Sequence, residues 1–356
     1  MIIVSTDYNG MELGTLAQKC VSLFGHSVMA DNINAGIDNH AYLAAQIAFA
    51  MDNNFNRLIM ENGLQSKRDA IYDTFKQFKN RKDECIYPTF CENFKEKYRQ
   101  DESKELDRPV LWSDFFKYYR TLAKPTGLGF PGGLGAATMV AFAKGGYKVD
   151  LTLDVAKQLR EVWKETYPEM VRYLDWVNKQ CKDPHHLPIE VEEDDGKTKK
   201  QTFYTYDTPR GMHRARCGYC EAANGAGLQA FSAEGALEAL YRVQKTMWLS
   251  DYDGPLDSIS IFLDIVDPSR CLAGSYAINF LHDEIIFETP GTIHVPAAVV
   301  STVETIMVNA MEEITPDVKA GAESAAMNRW YKKAEEIRDD AGNLIPWVPE
   351  PEKGEV

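Results

Sequence analysis

Two aspartates and one pair of cations carry the chemistry this sequence could do. Asp7 follows a short β-type run, Ile2-Ile3-Val4, and precedes a helical pattern from Met11 to Leu23, so it stands at a strand end. Asp283 lies between the apolar runs AINFL and IIFE, which read as the arms of a tight β-hairpin with His282-Asp283-Glu284 at its turn. Two carboxylates projected from strand ends to one edge of a sheet can hold two divalent ions roughly 3.5–4 Å apart, and such ions clamp the attacking and leaving oxygens of a phosphoryl transfer. Mg²⁺ suits that role because it takes oxygen ligands and substrate phosphates. Arg120 and Lys124 are four apart, share one helix face, and are followed by the glycine-rich run GLGFPGGLG, which together make a triphosphate clamp. Taken singly, an aspartate at a strand end is also an ordinary turn residue, and a cation pair is also a solvated helix face.

The elements that must position these groups are legible around them. Residues 41–123 read as mostly helical, with alternating charge and spaced aromatics such as Phe75, Phe78, Phe115 and Phe116. Residues 152–181 read as a long amphipathic helix broken at Pro168. The charged stretch 183–202 reads as a loop or hairpin tip, 228–248 and 297–314 as helices, and the Pro- and Glu-rich end as a frayed tail. Helices between separated strands predict an α+β fold: a small antiparallel sheet with a mostly helical subdomain inserted.

The chain has 356 residues, about a quarter of them charged, which is enough for one large domain or two fused lobes. No apolar run reaches the length of a membrane span, and the N-terminus has no signal-peptide pattern. Seven cysteines without regular spacing predict a reduced, intracellular chain. The net charge of −14 is unlike a nucleic-acid binder, whose footprint is basic, although a duplex needs only a local basic groove. Cys217 and Cys220 have metal-ligand spacing, but no second pair follows at zinc-site distance. The glycine runs lack the ending of a P-loop, and His185-His186 read as a surface pair.

Three segments resemble the motifs of phage-type family A DNA polymerases, in that family's order. VSTDYNGMELGTLAQ resembles the first catalytic motif, RTLAKPTGLGFPGGLG the fingers-helix motif, and LHDEIIFE the third motif, a His-Asp-Glu hairpin. TPRGMHRARCGYCEAANGAGLQAFSAEGALEAL and the ending MNRWYKKAEE…GNLIPW are also similar to phage members, so the resemblance covers nearly the whole chain. It implies palm at 1–40, helical fingers at 41–205, palm with the HDE hairpin at 206–346, and a flexible tail at 347–356.

By resemblance, Asp7, Asp283 and the carbonyl of Tyr8 bind two Mg²⁺ ions, and the primer 3′-hydroxyl attacks the α-phosphate of a dNTP. Arg120 and Lys124 hold the triphosphate, with Lys124 as proton donor to the pyrophosphate. Glu12 matches the steric gate against a ribose 2′-hydroxyl, and Leu128 stands where a ring usually stacks near the nucleotide sugar. His282 and Glu284 flank Asp283 near the primer end. Gln229 matches a minor-groove contact, and Arg214, Arg216, Gly132 and Gly133 are DNA-contact candidates. Pro125 directly after Lys124 predicts that Lys124 sits at a kink or a helix start. Gly14 replaces a common arginine, and the spacing from Asn224 to Gln229 is one residue longer than in the family.

Met1 lies six positions before Asp7, so the resemblance implies that thumb and exonuclease domain are absent here, the chain being either part of a split polymerase completed by a second polypeptide or a gene fragment. The partners it implies are primer-template DNA, dNTPs and that polypeptide, with no membrane, in the cytoplasm of a phage-infected bacterial host. Two rival functions remain open: a single-subunit RNA polymerase, against which Glu12 and Glu284 speak, and a catalytically silent DNA-binding remnant.

Overall fold

A computed structural model describes residues 1–84, 110–192, 198–252 and 270–349. Cys85, Cys91, the centre of the charged stretch and residues 350–356 of the expected tail lie outside the described residues. In chain order the elements are β1 (Ile2–Tyr8), α1 (Met11–Phe24), α2 (Val28–Asn34), α3 (Asn39–Met51), α4 (Asn53–Glu61), α5 (Arg68–Lys76) and α6 (Trp112–Gly129). Next come α7 (Ala136–Tyr147), α8 (Leu153–Thr166), α9 (Pro168–Gln180), β2 (Ile189–Glu192), β3 (Thr198–Gln201), β4 (Tyr204–Asp207) and β5 (His213–Cys217). The last are α10 (Tyr219–Gly227), α11 (Gln229–Ser250), β6 (Tyr276–Leu281), β7 (Glu284–Thr289), α12 (Ala297–Glu312) and β8 (Ala322–Met327). Helices and antiparallel sheets are mixed, and no described helix is long and apolar enough to cross a membrane.

The chain forms two compact units, one of Met1–Gln18, Thr208–Met212 and Gly227–Val356, the other of Lys19–Asp207 and His213–Ala226. The first division falls at 18/19, because residues 19–40 find their partners in the helical unit. Ser27 Oγ and Met29 N–H donate to the buried Glu169 at 3.0 and 3.2 Å, and the Asn39 carbonyl accepts from Tyr167 Oη at 3.0 Å.

The sheet unit is a four-stranded antiparallel sheet in the order β6-β7-β1-β8. Alternation along β1 turns Ile2, Val4, Thr6 and Tyr8 to a buried face, where they join Val243, Phe287, Val303 and Met307 in a core with α11 and α12. Each fully buried aliphatic or aromatic side chain is worth about 1.5–3 kcal/mol. The two polar members of that face are satisfied: Thr6 Oγ1 meets Ser324 Oγ at 2.9 Å, and Tyr8 Oη donates to the Met307 carbonyl at 2.6 Å. Ser5 and Asp7 therefore point to the opposite, open face.

The helical unit centres on an aromatic cluster, with Phe78 stacked on Trp112 at 4.4 Å and Phe55, Phe75 and Phe115 around them. Pro168 does break the helical stretch, standing at the first position of α9, where its missing N–H costs nothing. Pro125 behaves otherwise. The helix α6 runs through it without a break, so Lys124 stands inside the helix and not at the expected helix start. Leu122, Ala123, Pro125, Thr126 and Gly127 are all buried, and that packing outweighs the roughly 3 kcal/mol cost of an interior proline. The carbonyl that loses its partner belongs to Thr121, an exposed residue, so water can serve it.

Asp183 closes the end of this unit that carries β4 and β5. Its carboxylate accepts from the backbone N–H groups of His185 and Arg216 at 2.9 and 3.1 Å, with His186 Nδ1 at 2.8 Å. Desolvation pulls its pKa upward, but these hydrogen bonds win and hold it at about 2, below the ordinary 3.8. Its stabilising contribution is therefore full above pH 4 and lost as the pH falls towards 2. The melting-temperature gap between wild type and Asp183→Asn should be widest near neutrality and close over that acid window. A gap independent of pH would show that the ionised form is not what matters.

Candidate active site

The hairpin turn is two residues long, His282-Asp283, because Leu281 pairs directly with Glu284. His282 takes φ +57°, the left-handed conformation that tight hairpins demand and that histidine tolerates better than most residues. The antiparallel register sets Asp7 opposite Glu284, and Tyr8 N–H reaches the Asp283 carbonyl at 3.4 Å. The carboxyls of Asp7 and Asp283 are within hydrogen-bonding reach of each other. Two carboxylates in contact cannot both stay bare, so the pair holds either a proton or a cation. Asp7 is pushed up to about 7, first by partial removal from water and then by the charges of Asp283 and Glu284, although it keeps an open edge to solvent.

Three further predicted residues gather here. Glu12, in the first turn of α1, feels Asp283 and His282 and accepts a hydrogen bond from Gln229, the first residue of α11; its pKa is raised mainly by burial. Glu284 accepts from Ser5 Oγ and, at 3.4 Å, from Trp330 Nε1, so it is tied to the sheet. Beside Asp7 and Glu284, on the open face, lies a cavity of ≈ 360 Å³ that Asn9, Glu323 and Lys332 also line. Glu323 was not singled out from sequence. It faces Asp7 across the β1–β8 ladder and accepts from Asn9 Nδ2 at 2.9 Å, and only strand pairing over more than 300 residues reveals it.

The remaining predicted residues belong to the helical unit. Along α6, Arg120, Lys124 and Leu128 form a partly open stripe at i, i+4, i+8 on a mostly buried helix. Arg120 Nε donates to Asp38 at 2.8 Å, and Asp38 also caps α3 by accepting from the N–H groups of His40 and Ala41. Partial burial draws the Asp38 carboxyl up, but the Arg120 charge and hydrogen bond outweigh it and leave it below the usual range. Burial takes His40 down to about 4, with Arg120 and Lys124 adding to the effect, so His40 is neutral at pH 7. Lys124 is lowered by burial and then by Arg120. Sequence reasoning missed Asp38 and His40. An aspartate before an apolar helical run reads as an N-cap, and nothing local points to an arginine 82 residues away.

Gly132 is buried against Asn224, where an added Cβ would stand 2.6 Å from Oδ1. Gly133 has φ +81°, and a Cβ there would meet the Tyr219 ring at 2.9 Å. Gly133→Ala should lower the unfolding free energy by about 1–3 kcal/mol, measured by chemical denaturation. An unchanged midpoint would mean that Tyr219 yields freely. Arg214 is exposed and pairs with Glu221 at 3.3 Å, while the Arg216 guanidinium lies over Phe203 at 5.4 Å.

Among the described residues, no group of three or more His, Cys, Asp or Glu side chains forms a ready metal cage. A two-carboxylate site does not need one, since Mg²⁺ commonly takes one or two carboxylates and fills its shell with water and substrate phosphate. Asp7, Asp283 and the Tyr8 carbonyl fit that donor set. The carbonyl already accepts from Gly10 N–H at 3.1 Å, which leaves its second lone pair.

No protein-family model matches the sequence, and no curated protein does. Solved structures do match. The polymerase domain of Pol1 from M. smegmatis, in complex with DNA primer-template and dNTP, is 15% identical with a TM-score of 0.48 over 93% of this chain. This chain spans 40% of the length of that one.

Proposed function

We propose that this chain carries out template-directed DNA synthesis in phage replication, transferring deoxynucleotides to a primer 3′-hydroxyl as a family A-type polymerase. The observation that carries the reading is the meeting of Asp7 and Asp283, distant in sequence, at neighbouring strand ends on the sheet. In this reading Asp7, Asp283 and the Tyr8 carbonyl would hold two Mg²⁺ ions. Bound there, the ions would lower the pKa of the attacking hydroxyl and neutralise phosphate charge. Glu12, hydrogen-bonded by Gln229 in the first turn of α1, crowds a ribose 2′-hydroxyl and so selects deoxynucleotides. Gln229 is exposed at the start of α11 and contacts the minor groove of the duplex. Arg120 and Lys124 bind the triphosphate, and Lys124, whose pKa is lowered by burial and then by Arg120, gives its proton to the departing pyrophosphate.

Primer extension with Mg²⁺, offering dNTPs and rNTPs separately, tests the proposal. Elongation with dNTPs and little with rNTPs is expected. Preference for rNTPs would move the chain to RNA synthesis. No elongation with either, together with unaltered DNA binding in Asp283→Ala, would leave only a silent binding protein.

A further inference from the structure

Asp7, Asp283 and Glu284 crowd the strand ends, with the Glu284 Cα directly opposite Asp7 in the β1–β7 register. The fold treats these acids differently. Asp7 and Asp283 reach each other, whereas Glu284 acts on Asp7 through its charge and not through a hydrogen bond. Glu284 instead accepts on one oxygen, Oε1, from both Ser5 Oγ and Trp330 Nε1, the latter at 3.4 Å. Ser5 lies on the same open face as Asp7 but two residues earlier on β1, roughly 7 Å back along the strand. The Glu284 side chain therefore leans diagonally away from the acid pair. Like charges this close drive a loose carboxylate either into solvent or on to a cation held by its neighbours. Hydrogen bonds to an ionised acceptor are strong enough to oppose that.

Trp330 belongs to the segment that follows β8. Next to it, Tyr331 N–H donates to Met327 Sδ at 3.1 Å and the Tyr331 ring stacks on Trp347 at 5.1 Å, while Trp347 N–H donates to the Ala326 carbonyl at 2.7 Å. These contacts tie the segment to β8 and set the indole at Glu284. We infer that Ser5 and Trp330 are positioning residues that hold the Glu284 carboxylate back from the Asp7–Asp283 pair, so that a divalent ion there meets two carboxylates and keeps its other positions for water and substrate oxygens. The inference rests on the polymerase reading above, in which those positions take nucleotide phosphate and the primer hydroxyl. A third carboxylate binds the ion more tightly, because affinity follows the charge count of the ligands, and it competes with substrate for the shell.

The test titrates the full chain with Mn²⁺ in the absence of nucleotide, counting free Mn²⁺ by electron paramagnetic resonance, and then measures primer extension with Mg²⁺. Ser5→Ala combined with Trp330→Phe removes both donors while keeping a small residue in β1 and an aromatic ring beside the sheet. This double variant should bind Mn²⁺ about three- to tenfold more tightly than wild type, while its kcat falls and its KM for dNTP rises. Adding Glu284→Gln should cancel the gain in Mn²⁺ affinity, which a mere loosening of the fold would not do. Ser5→Ala alone should shift the affinity in the same direction by less, and it decides the matter if the double variant fails to fold. Mn²⁺ affinity unchanged or weakened on loss of the donors, or a gain that survives Glu284→Gln, would overturn the positioning role and leave the proposed function standing. Wild type that binds Mn²⁺ no better than Asp283→Ala and extends no primer would overturn both.

Discussion

Asp283→Asn is expected to lower dNTP incorporation by about three orders of magnitude or more, and Asp7→Asn to do the same. Each substitution keeps the shape of the turn or strand end but removes one of two charges available to a divalent ion. Folding should survive, because the acids sit outside the core that Ile2, Val4, Phe287 and Val303 make. The variant should even be the more stable protein without metal. Asp7 titrates near 7 in the fold against an ordinary 3.8, so its contribution is full below pH 4 and is lost as the pH rises through 7. Asp283→Asn removes one of the charges responsible. In EDTA its melting temperature should exceed that of wild type at pH 8, with the gap shrinking towards pH 4. The gap will be small, since Asp7 keeps contact with solvent. Added Mg²⁺ at pH 8 should raise the melting temperature of wild type and not that of the variant. Incorporation within a few-fold of wild type would remove the acid pair from the reaction centre.

Lys124→Ala carries the second large effect, a loss of about 10²–10⁴ in kcat, the usual contribution of a positioned proton donor. A proton donor also leaves a signature in pH. Its rate falls on the alkaline side as the ammonium deprotonates, and that limb reports the Lys124 pKa. Burial lowers this pKa first, Arg120 lowers it further and Asp38 raises it. Asp38→Asn should therefore shift the alkaline limb to lower pH, whereas Arg120→Ala should shift it to higher pH while weakening triphosphate binding. Steady-state kinetics across pH 7–10 for the three variants separates these outcomes. A limb that stays in place in both Asp38→Asn and Arg120→Ala would show that Lys124 acts as a fixed charge alone.

Much of the local structure could be read from the chain. The hairpin of β6 and β7 shows as two apolar runs around a polar turn, and α11 and α12 show as helical periodicity, because in each the signal lies within one element. Pro168 announced the break between α8 and α9 by its own chemistry. Pro125 does not start or end a helix as its chemistry alone suggests, because α6 is buried around it against α3 and other parts of the helical unit. Arg120 and Lys124 were legible as a shared face, yet Asp38, which grips Arg120, was visible only as a helix cap.

The sequence by itself determined the inventory: which acids stand at strand ends, which cations share a helix face, and where turns and breaks must come, since these follow from residue chemistry over a few neighbours. Only the tertiary structure decided which of them meet. Antiparallel register between β1 and β7 brings Asp7 to Glu284 and Asp283. That register is set by burial of alternate side chains against α11 and α12, a long-range packing condition that no local pattern encodes.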